Sequence, residues 1–154
     1  MTKLQLGKAV PTFALTDQDG DTARLEDFAG SKLLIYFYPK ALTPGCTTQS
    51  RAVSAAKDEF AGLNCKVVGI SPDEPGKQKK FDDKHQLGFP LLSDPDHAVA
   101  EAFGVWGEKK MYGKTYMGII RSAFLVDEDG KLIEAWHKVS PKATAPNVMD
   151  ALKP

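Results

Sequence analysis

Cysteine is scarce in this chain, with two among 154 residues. A domain of this length buries roughly 70% of the surface its unfolded chain exposes, so it does not depend on a disulfide framework. The two cysteines, Cys46 and Cys65, are not spaced Cys-x-x-Cys. That excludes a dithiol reductase, which needs both sulfurs in one short loop. His85, His97 and His137 are scattered and form no His-x-x-x-His pair, so no metal site is expected. No Gly-rich phosphate loop is present, and no cofactor is expected. Charge of one sign is also lacking, because 20 basic residues balance 20 acidic ones. The densest basic clusters, 77–80 and 109–110, are short and flanked by acids, so a solvated face is expected and a nucleic-acid partner is not. No apolar run approaches the ~18–20 residues of a membrane span, and no membrane partner is expected. The first eight residues have no signal-peptide core, which makes the expected location cytoplasmic, where thiols stay reduced.

What is present suits one globular domain over residues 1–154, with 42% hydrophobic and 26% charged residues. The run Lys32–Tyr38 is apolar, aromatic and β-branched and ends at Pro39, as a strand buried on both faces does. Apolar residues at helical spacing, Val53, Ala56, Phe60 and Leu63, predict a helix through Thr47–Leu63. Thr43 followed by Pro44 fits an N-cap with proline at the first helical position. Val67–Ile70 predicts a second buried strand, and Glu74–Gln86 a second helix. A short strand at Phe89–Leu92 and a short helix at His97–Phe103 come next. Ile119–Val126 and Lys131–His137 form a predicted hairpin around Asp127-Glu128-Asp129-Gly130, and Ala145–Leu152 a terminal helix. Near the N-terminus, Val10–Thr16 and Thr22–Leu25 flank a turn cluster. This order predicts an α/β class, a thioredoxin-like fold with an N-terminal extension and a mixed sheet flanked by helices.

Cys46 is placed where a thiol becomes reactive. It falls in the first turn of a predicted helix, where backbone N–H groups lack acceptors and the macrodipole is positive; both favour a thiolate. Gly45 lets the backbone approach a small substrate, and Pro44 and Gly45 together are expected to contact it. Thr43 can offer its hydroxyl to the sulfur or the substrate as well as cap the helix.

Pro39, Thr43 and Cys46 make a Pro-x-x-x-Thr-x-x-Cys pattern after a buried strand, which resembles the active-site motif of peroxiredoxins. The run Phe37–Thr47 is similar to the bacterioferritin comigratory protein, or peroxiredoxin Q, subgroup. So are Val68–Ser71, Pro90–Asp94, Phe103–Trp106 and Arg121–Asp127, in that order along the chain. The resemblance implies a thiol-dependent peroxidase in which Cys46 attacks a hydroperoxide and becomes a sulfenic acid. It implies that Arg121 is the active-site arginine and that Pro39 shields the thiolate. A guanidinium suits the arginine's task, since it stays charged and presents a planar fork of donors.

Many members of that subgroup carry a resolving cysteine five residues after the nucleophile, where this chain has Arg51, or in the next helix, where it has none. Cys65, at the start of a predicted buried strand, is expected to be a core residue rather than a resolving one. The expected enzyme is therefore a one-cysteine peroxidase acting on hydrogen peroxide and organic hydroperoxides. Its partner would be an external thiol reductant such as thioredoxin, glutaredoxin or a small thiol, and its assembly a monomer or weak dimer. The alternative is a peroxide-responsive thiol sensor without turnover. Trp106, Tyr112 and Tyr116 are expected in a loop, either lining the approach to the site or packing beneath it.

Overall fold

The computed structural model describes residues 4–153; the first three residues of the stretch without an expected signal peptide lie outside them. Seven strands form the main sheet, β1 (Ala14–Thr16), β2 (Thr22–Arg24), β3 (Lys32–Phe37), β4 (Cys65–Ser71), β5 (Leu91–Ser93), β8 (Ser122–Val126) and β9 (Leu132–Trp136), in the order β2-β1-β5-β4-β3-β8-β9. The central pairs β3·β4 and β4·β5 are parallel and the outer pairs antiparallel. Parallel strands need long crossovers, and helices α1 (Pro44–Gly62) and α2 (Pro75–His85) provide them. This is the thioredoxin-like arrangement.

Side chains alternate across β3, which sorts the core into two layers. Leu34, Tyr36 and Tyr38 face α1, α2 and the terminal helix α4 (Thr144–Leu152), meeting Val53, Phe60, Phe81 and Val148. Leu33, Ile35 and Phe37 face the N-terminal segment and the short helix α3 (Ala98–Ala102), meeting Val10, Phe13, Ala100 and Phe103. Both faces are covered, so β3 carries no polar side chain past Lys32 except Tyr36 on the helix side.

Three expectations are corrected. Trp106, Tyr112 and Tyr116 do not lie in a loop but in a separate hairpin, β6 (Trp106–Met111) and β7 (Lys114–Ile119). Tyr112 and Gly113 both have positive φ, 54° and 77°, the geometry of a two-residue type I′ turn. Tyr112 is 96% exposed at the tip, while Trp106 stacks on His97 at a 3.8 Å ring separation. Secondly, the apolar run 119–126 is not one strand. It breaks at Ile120–Arg121, where the chain passes from the hairpin to the main sheet; the Ile120 N–H bonds the Val105 carbonyl and the Arg121 carbonyl accepts from Val139. Thirdly, His137 lies just past β9, exposed, with its ring edge-on to Phe124. No helix among the described residues is long and apolar enough to cross a membrane.

Candidate active site

The site forms where the C-terminal end of β3 meets the N-terminal end of β8. Phe37 pairs with Ser122 in antiparallel register, so Arg121 stands at the sheet edge beside the segment that leads into α1. Pro39 is half-buried at the same edge. α1 begins at Pro44, which makes Cys46 its third residue. The N–H groups of Gly45 and Cys46 find no acceptor among the described residues, whereas that of Thr47 bonds the Thr43 carbonyl at 2.9 Å. Two donors of the first turn are thus left open.

Arg121 closes the site. Its Nη2 donates to Cys46 Sγ at 3.5 Å and its Nη1 to Gln49 Oε1 at 2.7 Å. Gln49 in turn donates through Nε2 to Thr144 Oγ1 at 2.9 Å, and Thr144 donates to the Ser140 carbonyl at 3.0 Å. Gln49 and Thr144 are fully buried, so the guanidinium is held by a chain of satisfied polar groups running from α1 to α4. Gly45 makes room for it: a Cβ there would sit 3.1 Å from Arg121 Nη2 and 3.7 Å from Pro141 Cγ.

Thr43 departs from expectation. It occupies the N-cap with extended backbone, φ −88° and ψ 156°, but makes no side-chain cap. Its hydroxyl instead donates to the Lys40 carbonyl at 2.6 Å, because the turn into Pro44 brings that carbonyl within reach. The proton is committed to the loop, leaving the oxygen's two lone pairs as acceptors.

Beneath the sulfur, buried Tyr36 shares a 2.8 Å hydrogen bond with Ser50. Burial, and secondarily the Cys46 charge, push its phenol far above the ordinary range, against the pull of Ser50 and Arg121; it stays neutral. Lys109 reaches in from β6, donating to the Ile119 carbonyl at 2.8 Å. Burial first, and the Arg121 charge second, lower its ammonium pKa, while Cys46 acts in the opposite direction. Cys46 is only 1% exposed. Beside it lies an apolar groove of about 320 Å³ lined by Pro44, Gly45, Thr48, Ser140, Pro141 and Lys142. A larger cavity of about 720 Å³, under Leu25 and Phe28 and beside Asp127, contains neither cysteine.

The structure therefore brings Cys46, Gly45, Pro44, Thr43 and Arg121 to one sheet edge, with Pro39 at that edge as well. Cys65 is elsewhere, 2% exposed at the start of β4, level with Lys32 at the opposite end of β3. Burial pushes its thiol up to about 11, although the Leu34 backbone and Lys32 act to lower it. Sequence reasoning missed Gln49, Thr144 and Lys109. Gln49 had a signal, since it lies three residues after Cys46 on the same helix face; Thr144 and Lys109 had none, being brought in from remote segments.

The family model for the AhpC/TSA family matches residues 6–135. A putative peroxiredoxin bcp of Haemophilus influenzae is 49% identical over 153 residues, 99% of each chain. Peroxiredoxin Bcp of Escherichia coli is 52% identical over 132 residues, 86% of this chain and 85% of that one. Among solved structures, the Xanthomonas campestris bacterioferritin comigratory protein, described for its alkyl peroxide reduction activity, superposes with a TM-score of 0.88 at 40% identity, covering 97% of this chain and 95% of that one. The chain belongs to the AhpC/TSA family, within its bacterioferritin comigratory protein and peroxiredoxin Q branch, and is a thiol-dependent peroxidase.

Proposed function

We propose that Cys46 is the nucleophile, that Arg121 and the open N–H groups of Gly45 and Cys46 stabilise the leaving oxygen, and that the enzyme turns over with an external thiol. The observation that carries this is the 3.5 Å approach of Arg121 Nη2 to Cys46 Sγ in the first turn of α1. The Cys46 thiolate attacks the distal oxygen of ROOH. A sulfur–oxygen bond forms as the oxygen–oxygen bond breaks, and the electron pair leaves on RO⁻. That oxygen takes up the proton the thiol had lost and departs as ROH, while sulfur, oxidised by two electrons, is left as sulfenic acid. Donors fixed before the reaction stabilise the developing charge without reorganisation. Pro39 shields the sulfur, and Thr43 accepts a hydrogen bond from the peroxide. Pro44 and Gly45 border the apolar groove, which suits an organic R group as well as hydrogen peroxide, and the alkyl peroxide reduction described for the Xanthomonas relative agrees with this.

One external thiol then converts the sulfenic acid to a mixed disulfide with release of water, and a second restores Cys46 as the disulfide leaves. Thioredoxin, glutaredoxin or a small thiol has the required chemistry. The chain acts as one cytoplasmic domain, as a monomer or weak dimer. The test is steady-state consumption of hydrogen peroxide and of an alkyl hydroperoxide with each reductant, using wild type, Cys46→Ser and Cys65→Ser. Activity lost only in Cys46→Ser is expected. Retention of activity by Cys46→Ser defeats the assignment, and a single stoichiometric oxidation with no turnover on any reductant favours the sensor.

A further inference from the structure

A second polar cluster, outside the site, grips the segment that leads into it. Asp73 lies just past β4, with its side chain 9% exposed. Its Oδ2 accepts from the Ala41 backbone N–H at 2.6 Å and from Ser71 Oγ at 2.7 Å, and its Oδ1 pairs with Lys77 Nζ at 3.4 Å. Ser71 Oγ accepts from Gln78 Nε2 at 2.9 Å. The Gln78 carbonyl oxygen accepts from Tyr38 Oη at 2.5 Å. The segment between β3 and α1 is thus held twice, at Tyr38 by Gln78 of α2 and at Ala41 by Asp73 in the link from β4 to α2, and neither holder hydrogen-bonds Cys46 or Arg121.

The residue after Ala41 gives the reason a firm grip matters. Leu42 has φ 68°, a left-handed conformation that opposes a leucine side chain. Thr43, Pro44, Gly45 and Cys46 come immediately after it. A charge-assisted hydrogen bond is among the stronger ones, and this carboxylate is held in place as well by the Ser71 hydroxyl and the Lys77 ammonium.

We propose that Asp73 is a positioning residue for the peroxide step: its bond to the Ala41 N–H holds the strained segment closed and so keeps Cys46 under Arg121. This rests on Cys46 being the nucleophile. Peroxide reduction needs the closed arrangement, in which the sulfur meets Arg121 at 3.5 Å. A thiol reductant is larger, and it must reach a sulfur that is 1% exposed when the segment is closed. Releasing the latch therefore slows the first half-reaction and does not slow the second, a split that general loss of packing would not produce.

The experiment is stopped-flow measurement of both half-reactions, oxidation by hydrogen peroxide and reduction of the sulfenic form by dithiothreitol. In Asp73→Ala the peroxide rate constant is expected to fall about tenfold or more while the thiol rate holds or rises; Asp73→Asn, which keeps an acceptor for the Ala41 N–H without the charge, should fall about threefold. A fall below about twofold in Asp73→Ala, or equal falls in both half-reactions, overturns the proposal. If Asp73→Ala does not fold, Asp73→Asn decides: about threefold slower on peroxide with an unslowed thiol step supports the latch, and any lesser or parallel effect overturns it. Peroxidase activity surviving in Cys46→Ser would identify a failure of the nucleophile assignment instead.

Discussion

Arg121 is separated from Cys46 by 75 positions in sequence and from Gln49 by 72, yet both arms of its guanidinium are engaged. Lysine can keep the charge but not the two-armed geometry. Arg121→Lys is therefore expected to fold normally and to lose roughly a hundredfold in the second-order rate with peroxide, about 3 kcal/mol of transition-state stabilisation. Stopped-flow oxidation checks this, and a loss below threefold would remove Arg121 from the role. Cys65 makes a different prediction. Its folded-state pKa, about 11, stands above the ordinary 9.0. Between those values the unfolded chain releases the Cys65 proton while the folded one keeps it, so stability falls as pH rises through that window. The loss tends toward about 2 kcal/mol by pH 11, at 1.36 kcal/mol for each unit of pKa difference. Urea unfolding at pH 8 and pH 10.5 should show this component of the decline in wild type and not in Cys65→Ala; identical declines would refute it. At this scale the sequence was most informative where a residue's neighbours in the chain are also its neighbours in space. Cys46, Gly45 and Pro44 could be placed from the helix start alone. Arg121 was reached only through the family resemblance, because an arginine at the edge of an apolar run has no local pattern that distinguishes a site from a surface.

Elements were legible where burial imposes a period. β3, β4 and α1 read directly from their apolar patterns, since two-sided burial and a helical stripe each leave a trace. The β6–β7 hairpin did not, because six of its exposed positions alternate nothing: Met111, Tyr112, Lys114, Thr115, Tyr116 and Met117 all face solvent. Its only local mark is the Tyr-Gly turn. Gly69, within Val67-Val68-Gly69-Ile70, carries a signal of another kind, since glycine inside a strand marks a close approach. A Cβ there would lie 2.9 Å from Tyr36 Cζ and 3.0 Å from Tyr38 Cε1. Both rings are fully buried and their hydroxyls are engaged by Ser50 and Gln78, so neither can retreat freely. Gly69→Ala should consequently destabilise the fold by about 1–3 kcal/mol, even though alanine lowers unfolded-chain entropy. Denaturant unfolding monitored by circular dichroism measures it, and a midpoint at or above wild type would show that the tyrosines yield.

Across the whole molecule, the two cysteines share one apolar layer but lie toward opposite ends of the sheet. Cys65 is level with Lys32, and Cys46 comes after Phe37, five residues further along β3. At about 3.3 Å per residue those five residues alone span ~16 Å. A disulfide needs Cα atoms within about 7 Å. Bridging them would require the first turns of α1 to unwind and the segment to be drawn down the length of a buried strand, abandoning Arg121 and the latch at Ala41 together. Opening of the first turn alone would expose Cys46 to solvent rather than carry it to Cys65. One equivalent of peroxide without added thiol is therefore expected to leave Cys46 as a sulfenic acid that a sulfenate-selective reagent captures. Non-reducing peptide mapping at the same time should find Cys65 as a free thiol. Intermolecular Cys46–Cys46 disulfide at high protein concentration is compatible with this geometry, because it needs only the local opening. A dominant intramolecular Cys46–Cys65 disulfide, formed at the rate at which the sulfenic acid decays, would instead mean that the chain unfolds far more of itself than one helical turn during each cycle, and the one-cysteine mechanism would fall.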